Sequence, residues 1–467
     1  MANEKSSVSF QLEKKQKTNL TLLICIILTF TVMNGTMFNV AIPDIAEEFN
    51  LLPSQVSWVM TGYILVFAVG SLMYGKLADI YPIKTLLTFG LMLFALGATL
   101  GFLSQNYPTL LAARVLQAMG GATIPALAFI IPARFMPNER GKVFGIVSST
   151  VAFASGVGPI AGGLVGGALN WRFLFIFSML AVLAVPLLRK WIPDEKKREG
   201  NIDLLGAVLI AFTVSSLLMF VTTFSLWACI FGLLSFGTFV WRTMTVKEPF
   251  IQPAMLKSKY YATTIATSFL GTTAMFGMIF VIPIMARDLY DLNTTQIGLL
   301  LFPGAMAAGL IGQYSGTLLE KRGSYAVIRL AFIFVIIGTF LISTFSGFPA
   351  WIIGLCILVQ YIAFPLIQSS TANLLTYIIP AERTGVGIGL FNLLNFLAGA
   401  IASAVFGAFL DLQQVSFTLN PLTSQGEHTI YANLFIGLTV ITLFARWLFS
   451  FVYKNHELVE KQKDKSA

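Results

Sequence analysis

The sequence Gly75-Lys-Leu-Ala-Asp79 follows directly on an apolar run that covers residues 54–75. A related sequence, Gly316-Thr-Leu-Leu-Glu320, lies at the end of a second apolar run, at residues 297–318. Both read Gly-x-Leu-x-acid, and basic residues follow each of them. Repetition of one turn sequence at two places indicates that the chain contains two similar halves.

The composition excludes several broad classes of protein. Of the 467 residues, 56% are hydrophobic and only 11% are charged, and the mean hydropathy is +0.80. A water-soluble domain needs roughly a quarter of its residues charged. A disordered chain is polar and poor in aromatic residues, whereas this one has 41 Phe. Most of the chain is therefore expected to lie in lipid.

A helix that crosses a bilayer needs about 20 mostly apolar residues. Fourteen such stretches predict an all-α membrane protein with fourteen spans, although residues 204–241 also allow one long span in place of two. In order, spans 1 to 14 are expected at residues 20–42, 54–75, 85–104, 108–132, 143–168, 173–192, 204–224, 225–241, 263–286, 297–318, 326–345, 350–376, 386–410 and 430–453.

The lysines and arginines predict the orientation, because these residues concentrate in cytoplasmic segments. Of the 30, 25 lie in the termini and in alternate loops, whereas only Arg172 and Arg287 lie in loops on the other side. Both termini are therefore expected in the cytoplasm. The positive charge is spread over eight short segments, so we expect no nucleic-acid partner.

The two repeated turns follow spans 2 and 10, which are eight spans apart. Six spans in each half and two inserted spans account for that spacing. The predicted segments are a cytoplasmic tail at 1–19, a six-helix bundle at 20–192, two inserted helices with charged linkers at 193–262, a second six-helix bundle at 263–453 and a cytoplasmic tail at 454–467.

Three motifs carry a resemblance to a known family. The turn at 75–79 resembles the loop signature of the major facilitator superfamily. In span 4, Arg114-Val-Leu-Gln-Ala-Met-Gly-Gly121 resembles a pattern of its drug exporters. In span 5, Gly156-Val-Gly-Pro-Ile-Ala-Gly-Gly163 resembles the antiporter motif of its fourteen-span drug:proton antiporters. The whole chain looks most similar to the Gram-positive tetracycline and multidrug exporters.

The resemblance implies a secondary active transporter in a bacterial plasma membrane. Such a protein would export a small amphipathic organic compound by alternating access, in exchange for protons or another coupling ion. We expect a monomer in the lipid bilayer, with no cofactor and no metal. An enzyme is not expected, because both histidines lie in separate loops and no nucleophile–base pair is visible.

Two groups of residues are expected to control the conformational change. The turn residues Gly75, Asp79 and Glu320 stand where a carboxylate accepts hydrogen bonds or pairs with a basic residue. Small residues in span 5 let helices approach closely, and a proline there invites a bend. The predicted moving interface is formed by Gly156, Gly158, Pro159, Gly162 and Gly163.

Arg114 is the most informative residue of the sequence. An arginine inside an apolar span costs at least about 2.5 kcal/mol on insertion scales, so it normally faces a bundle interior and has a partner. Gln117 lies one helical turn further along the same face. We therefore predict that Arg114 and Gln117 take part in ion coupling or substrate binding.

Polar and aromatic residues within the spans are candidates for a substrate cavity. A cavity rich in Phe and weakly polar suits an amphipathic organic compound better than a sugar or a small ion. The candidates are Asn34 and Phe38 in span 1, Phe276 and Phe280 in span 9, Tyr361 and Gln368 in span 12, and Asn392 and Asn395 in span 13.

The sequence departs from the family in its acidic residues. Proton-coupled exporters of this family are expected to carry a membrane-embedded carboxylate near Asn34 in span 1, and the tetracycline branch another near Ala398 in span 13. Neither is present. Coupling through Asp288 or Asp411 at the outer mouth is expected instead, with Asp79 or the absence of coupling as alternatives.

The missing carboxylates also bear on the substrate and leave other functions open. A permanently charged cation would find no opposite charge within the membrane, so neutral, zwitterionic or metal-chelated anionic compounds are favoured, with Arg114 as the available countercharge. A transporter of an endogenous metabolite or lipid is one alternative. A membrane sensor that has the fold but does not transport is another.

Overall fold

The structure, a computed structural model, describes residues 14–136, 140–197, 203–246, 249–251, 257–379, 384–412, 415 and 417–454. Helices account for most of these residues, and the described residues form no strand. Thirteen of the helical segments are long and apolar enough to cross a membrane. The chain is thus a multi-pass all-α membrane protein, as its composition predicts.

Each span is numbered as in the sequence prediction. Span 5 lies on a continuous helix, but its described apolar part, Val157–Ala168, is shorter than a full crossing, so the total of fourteen stays a prediction. The helices of spans 1 to 14 lie at Lys14–Phe49, Trp58–Ile80, Ile83–Phe102, Tyr107–Gly121 with Thr123–Phe135, Arg140–Ala168, Leu174–Leu180 with Val185–Trp191, Leu204–Thr223, Leu226–Thr245, Lys259–Tyr290, Thr294–Phe345 (spans 10 and 11), Ala350–Ile378, Thr384–Leu410 and Thr429–Tyr453. Short helices lie at Pro53–Val56, Trp171–Phe173 and Ala181–Ala184.

Two span boundaries follow from local backbone conformation. Spans 10 and 11 form one continuous run, which Gly323 divides with a φ of 72°, a conformation that favours glycine. Spans 7 and 8 are separate helices, and Phe224 between them is left-handed with a φ of 52°. The alternative of one long span over 204–241 is therefore wrong.

Close helix contacts recur at matching places in the two halves. A Cβ atom on Gly97 of span 3 would lie only 2.4 Å from the backbone nitrogen of Gln117 in span 4. A Cβ atom on Gly338 of span 11 would lie 2.9 Å from the Cα of Gln360 in span 12. In lipid, small residues permit this close approach because apolar side chains gain little from mutual burial. The recurrence supports the division into two similar bundles that we propose.

The two halves are joined by hydrogen bonds at the end of the bundle that carries Asp44, which we call the Asp44 end. Thr61 of span 2 and Ser403 of span 13 have their hydroxyl oxygens 2.7 Å apart. On the opposite side, Thr295 of span 10 donates to the carbonyl oxygen of Gly163 in span 5 at 2.9 Å. Spans 2 and 13, and spans 5 and 10, therefore form two seams that close this end.

Spans 7 and 8 lie beside the seam between spans 2 and 13. Span 7 packs on both of those helices, and span 8 packs on span 7. The hydroxyl of Thr213 in span 7 donates to Ser235 in span 8 at 3.0 Å. The linker after span 8 returns to the bundle, where Lys76 donates to the carbonyl oxygens of Pro249 and Phe250 at 3.3 and 3.4 Å.

Asp203 links spans 7 and 8 at the end where span 7 begins and span 8 ends. One oxygen of its carboxylate accepts hydrogen bonds from Gly206 N at 2.9 Å and from Arg242 Nε at 2.6 Å. The other accepts from Phe250 N at 3.2 Å. Burial acts to raise the pKa of Asp203, but these hydrogen bonds and the charge of Arg242 outweigh it and hold the pKa below its ordinary value.

Replacing Asp203 by Asn is expected to destabilise the protein by about 1.5–3 kcal/mol at pH 7, because a charged acceptor is lost. Since the folded-state pKa is depressed, the contribution is complete above the ordinary aspartate pKa of about 4 and is lost as the pH falls through the folded value. Melting curves in detergent should show a constant difference from wild type between about pH 8 and 5, and a smaller one below about pH 4.

Asp194→Asn is the matched control, because Asp194 pairs with Lys84 at the surface and its side chain is 92% exposed. Equal melting shifts for the two variants would contradict the role given to Asp203.

Candidate functional site

Arg114 is almost fully buried, with 1% of its surface exposed. Its Nη1 donates to Asn34 Oδ1 at 3.0 Å and to Gln117 Oε1 at 2.6 Å. Its Nε donates to the carbonyl oxygen of Val59 in span 2 at 3.3 Å. The sequence-predicted residues Asn34, Arg114 and Gln117 therefore meet in one network that joins spans 1, 2 and 4.

Two aromatic rings flank the guanidinium of Arg114. Its Cζ atom lies 4.3 Å from the ring centroid of Phe38 and 4.0 Å from that of Tyr63. Phe38 packs in turn on Phe175 of span 6, with ring centroids 4.7 Å apart. Cation–π attraction is strongest where the cation has lost its water, so both rings stabilise the buried charge.

Among the described residues, no carboxylate balances this charge. The ion pairs of the described residues involve Lys84, Arg134, Arg172, Arg242 and Arg287, and none involves Arg114. The acceptors around Arg114 are neutral amide and backbone oxygens, so the network keeps a net positive charge within the bundle. That is the situation expected from the lack of an acid near Asn34.

Local sequence explains how these side chains come together. Asn34 and Phe38 are four residues apart and Arg114 and Gln117 three, so each pair lies on one helix face. The contact of Gly97 with Gln117 brings spans 3 and 4 together where the network begins.

Ser178 of span 6 completes the network, and the sequence did not predict it. A hydroxyl within an apolar stretch was its only signal, and many buried hydroxyls give the same signal.

The span 5 glycines lie against both halves. A Cβ atom on Gly158 would lie 1.8 Å from Thr36 Oγ1 in span 1, and one on Gly162 would lie 2.6 Å from the carbonyl oxygen of Met37. A Cβ atom on Gly163 would lie 2.9 Å from the carbonyl oxygen of Thr294 in span 10.

The other two residues of the predicted interface are placed less fully. The carbonyl oxygen of Pro159 would lie 2.6 Å from a Cβ on Gly298 in span 10. Gly156 lies in the same helix, and its surroundings are outside the described residues. Span 5 thus stands between span 1 and span 10 in direct backbone contact.

The cavity candidates of the second half divide into a polar and an aromatic group. Asn395 Oδ1 accepts from Thr272 Oγ1 at 3.1 Å, and Asn395 Nδ2 donates to Gln368 Oε1 at 3.1 Å. Phe276 packs edge-on against Phe364 at 6.2 Å. The remaining candidates are not joined to either pair: Phe280 is fully buried, Tyr361 packs on Gly304, and Asn392 is exposed.

The predicted acids lie apart from Arg114. Asp411 Oδ1 accepts from the backbone nitrogen of Ser54 at 3.0 Å, across the seam between spans 13 and 2. Asp288 accepts from the hydroxyl of Tyr431. The side chains of Asp79 and Glu320 lie outside the described residues, although both backbones are helical.

The remaining turn residue, Gly75, has no heavy atom near its Cβ position. The gating role of this turn therefore stays a prediction.

Asp44 joins the halves most directly, a contact that sequence reasoning missed. Its two carboxylate oxygens accept from Arg287 of span 9 and from the hydroxyl of Thr294 at the start of span 10. Arg287 also donates to Thr294 Oγ1 at 3.1 Å. The positions of Asp44 and Arg287 at ends of different spans indicated only that both lie near one membrane surface.

Comparison with known proteins identifies the class of protein to which this arrangement belongs. Residues 24–403 match the family model of the Major Facilitator Superfamily. The chain belongs to this superfamily of membrane transporters. It is 25% identical to the riboflavin transporter RibZ of Clostridioides difficile, over 92% of this chain and 98% of RibZ. It is 24% identical to the lincomycin resistance protein LmrB of Listeria monocytogenes, over 86% and 88% of the two chains.

Solved structures confirm the fold. A bacterial homologue of the human lysosomal transporter Spinster, in an inward-facing conformation, matches with a TM-score of 0.65 at 13% identity, over 96% of this chain and 99% of that one. The nucleoside transporter NupG matches with a TM-score of 0.65, also at 13% identity, over 93% and 99%. At these identities the likeness shows the fold alone.

Substituting Gly163 by Ala is expected to weaken the seam between spans 5 and 10, because the new methyl group would meet backbone atoms that cannot move independently. The cost is about 1–3 kcal/mol, as for other overpacked contacts. Gly166→Ala is the control, since its Cβ would meet only Thr294 Cγ2 at 3.4 Å.

The rate of disulfide formation between cysteines placed on spans 5 and 10 would measure how closely the two helices approach at this seam. A lower cross-linking rate in Gly163→Ala but not in Gly166→Ala is expected, and equal rates in both variants would contradict the contact.

Proposed function

We propose that the protein is a secondary active exporter of hydrophobic or amphipathic drug-like compounds, coupled to protons and working by alternating access. The distribution of Lys and Arg supports a cytoplasmic location for both termini. The two inserted spans stand between two six-helix bundles at 20–192 and 263–453. The protein acts as a monomer in a bacterial plasma membrane.

The observation that carries this proposal is the buried charge of Arg114. A guanidinium with neutral partners and two aromatic faces offers attraction to an anionic or electron-rich planar group, and it repels a permanent cation. Neutral, zwitterionic and acidic aromatic compounds are therefore the favoured substrates. Among drugs, lincomycin and tetracycline are compounds to test, the first because of the relative LmrB.

A vitamin or other metabolite is the second candidate substrate. The relative RibZ is a riboflavin transporter, and the match covers 98% of its length. Riboflavin is an uncharged, planar and amphipathic compound, so it fits the same chemistry. A sensor that does not transport is the remaining alternative, and the experiment below separates it from both transporters.

Expression in a bacterial host that lacks its own exporters tests the proposal. Resistance to at least one neutral or acidic aromatic drug, abolished by an uncoupler, is the expected result. Movement of riboflavin without any drug resistance would favour the metabolite transporter. Neither resistance nor movement of riboflavin, with the protein present in the membrane, would contradict the exporter.

Introducing a carboxylate beside Arg114 is expected to change the charge preference. In Asn34→Asp the new acid would lie about 3 Å from the guanidinium and neutralise it. Resistance to acidic compounds should fall, and resistance to a quaternary ammonium compound should rise. The control is Arg446→Gln, which removes a different arginine within a span and therefore tests for general damage. Thr31→Asp would not serve, because the hydroxyl of Thr31 is buried.

An unchanged preference in Asn34→Asp would show that the charge of Arg114 does not select the substrate. A changed preference in both variants would show that any loss of a membrane arginine charge has this effect.

The contact of Asp44 with Arg287 and Thr294, which we call the lock, is the proposed gate at the Asp44 end. Asp44 lies on the first bundle, whereas its partners Arg287 and Thr294 lie on the second. The carboxylate of Asp44 attracts the guanidinium of Arg287, so the contact favours the closed arrangement at this end. The charged groups nearby are Glu47 at 3.9 Å from Arg287, Asp288, which is adjacent to Arg287 in the chain, and Glu48, which pairs with Arg172.

Asp44→Asn is expected to raise the open population at this end by about fivefold or more, because the attraction to Arg287 is lost. Spin labels on Gln105 and Leu422, exposed loop residues of the two halves, would report the opening by distance. Glu47→Gln is the matched control and should keep the wild-type population, since Glu47 lies 3.9 Å from Arg287 and its side chain is 80% exposed.

A wild-type open population in Asp44→Asn would show that this contact does not hold the end closed. Equal opening in Glu47→Gln would show that the loss of any negative charge there has the same effect.

A further inference from the structure

Ser178 closes a ring of hydrogen bonds around Arg114. Its Oγ accepts from Asn34 Nδ2 at 2.7 Å and from Gln117 Nε2 at 2.9 Å. The oxygens of the same two amides accept from Arg114 Nη1. The four side chains come from spans 1, 4 and 6, and Ser178, Asn34 and Gln117 are all fully buried.

The direction of these bonds is fixed by chemistry. A guanidinium has only donors, so each amide must turn its oxygen towards Arg114. Each amide then points its NH₂ group to the opposite side, where a buried donor needs an acceptor. Ser178 Oγ supplies that acceptor to both amides at once, because a hydroxyl oxygen has two lone pairs.

Ser178 differs from the usual buried hydroxyl of this chain. Thr31, Ser370 and Thr442 donate to a carbonyl four residues earlier in their own helices, which satisfies the hydroxyl without any other span. The described bonds of Ser178 are to side chains of spans 1 and 4. Its position therefore serves the network, and helix packing alone does not require it.

We propose that Ser178 is a positioning residue of the transport site, which sets the orientation of Asn34 and Gln117 so that both amide oxygens face Arg114. Without the hydroxyl, each buried NH₂ group loses its acceptor, so either amide gains by rotating towards another acceptor, and its oxygen then moves away from the guanidinium. Arg114 would lose its fixed position between Phe38 and Tyr63. The role in transport rests on the proposed function, whereas the ring itself does not.

The ligand-independent test is a double-mutant cycle on purified protein in detergent. Ser178→Ala should lower the melting temperature of the wild type. In an Arg114→Gln background the same substitution should lose most of that effect, because the amides no longer have a cation to face. Ser370→Ala is the matched control, a buried serine outside the ring, and its shift should be the same in both backgrounds.

The transport test uses two planar dyes of opposite charge, fluorescein and ethidium, in inside-out vesicles. Ser178→Ala should raise the KM for fluorescein about tenfold or more. Ser178→Thr keeps the hydroxyl and should restore the wild-type KM. Ser370→Ala should leave the KM unchanged even where it lowers stability.

Additive melting shifts in the cycle would overturn the positioning role, and so would a wild-type KM in a folded Ser178→Ala protein. Failure of the Thr variant to restore the KM would overturn it as well. If the wild type transports neither dye while the cycle shows coupling, the ring stands and the exporter proposal loses its support.

Discussion

A positive charge buried in a membrane protein, with no carboxylate partner among the described residues, is the constraint on which the site depends. Lipid supplies no water to Arg114, so the protein must provide acceptors and polarisable surfaces for it. The amides of Asn34 and Gln117, the carbonyl oxygen of Val59 and two aromatic rings do so. All of these groups are neutral, so they leave the charge uncompensated, and we propose that it attracts a substrate of opposite sign.

The same constraint explains the close packing around the network. Amide and guanidinium groups satisfy one another only if the helices that carry them approach closely, and Gly97 allows spans 3 and 4 to do so. The glycines of span 5 bring that helix against span 1 of the first half and span 10 of the second. A movement of the two halves at this seam would change the contacts of Gly163 with Thr294, which is also a partner of Asp44.

Much of the fold could be predicted from the sequence, because hydrophobic length and charge distribution depend on the lipid and not on tertiary detail. The multi-pass all-α architecture is an example, and the superfamily followed from the motifs at 75–79, Arg114 and span 5. The sequence left open whether residues 204–241 form one span or two, because the left-handed conformation of Phe224 has no clear sequence signal. The site was predictable only where one helix face carries two polar residues, as with Arg114 and Gln117. Contacts between distant spans, such as Ser178 with Asn34 and Asp44 with Arg287, depend on helix rotation and tilt, which the sequence pattern does not determine.

The central claim is that the uncompensated charge of Arg114 selects the substrate, and direct binding to the purified wild-type protein tests it. Fluorescence measurements with three planar ligands of similar size would compare an anion, fluorescein, with a neutral compound, riboflavin, and a cation, ethidium. The account predicts that the anion or the neutral compound binds most tightly and the cation most weakly. Tightest binding of the cation would contradict it.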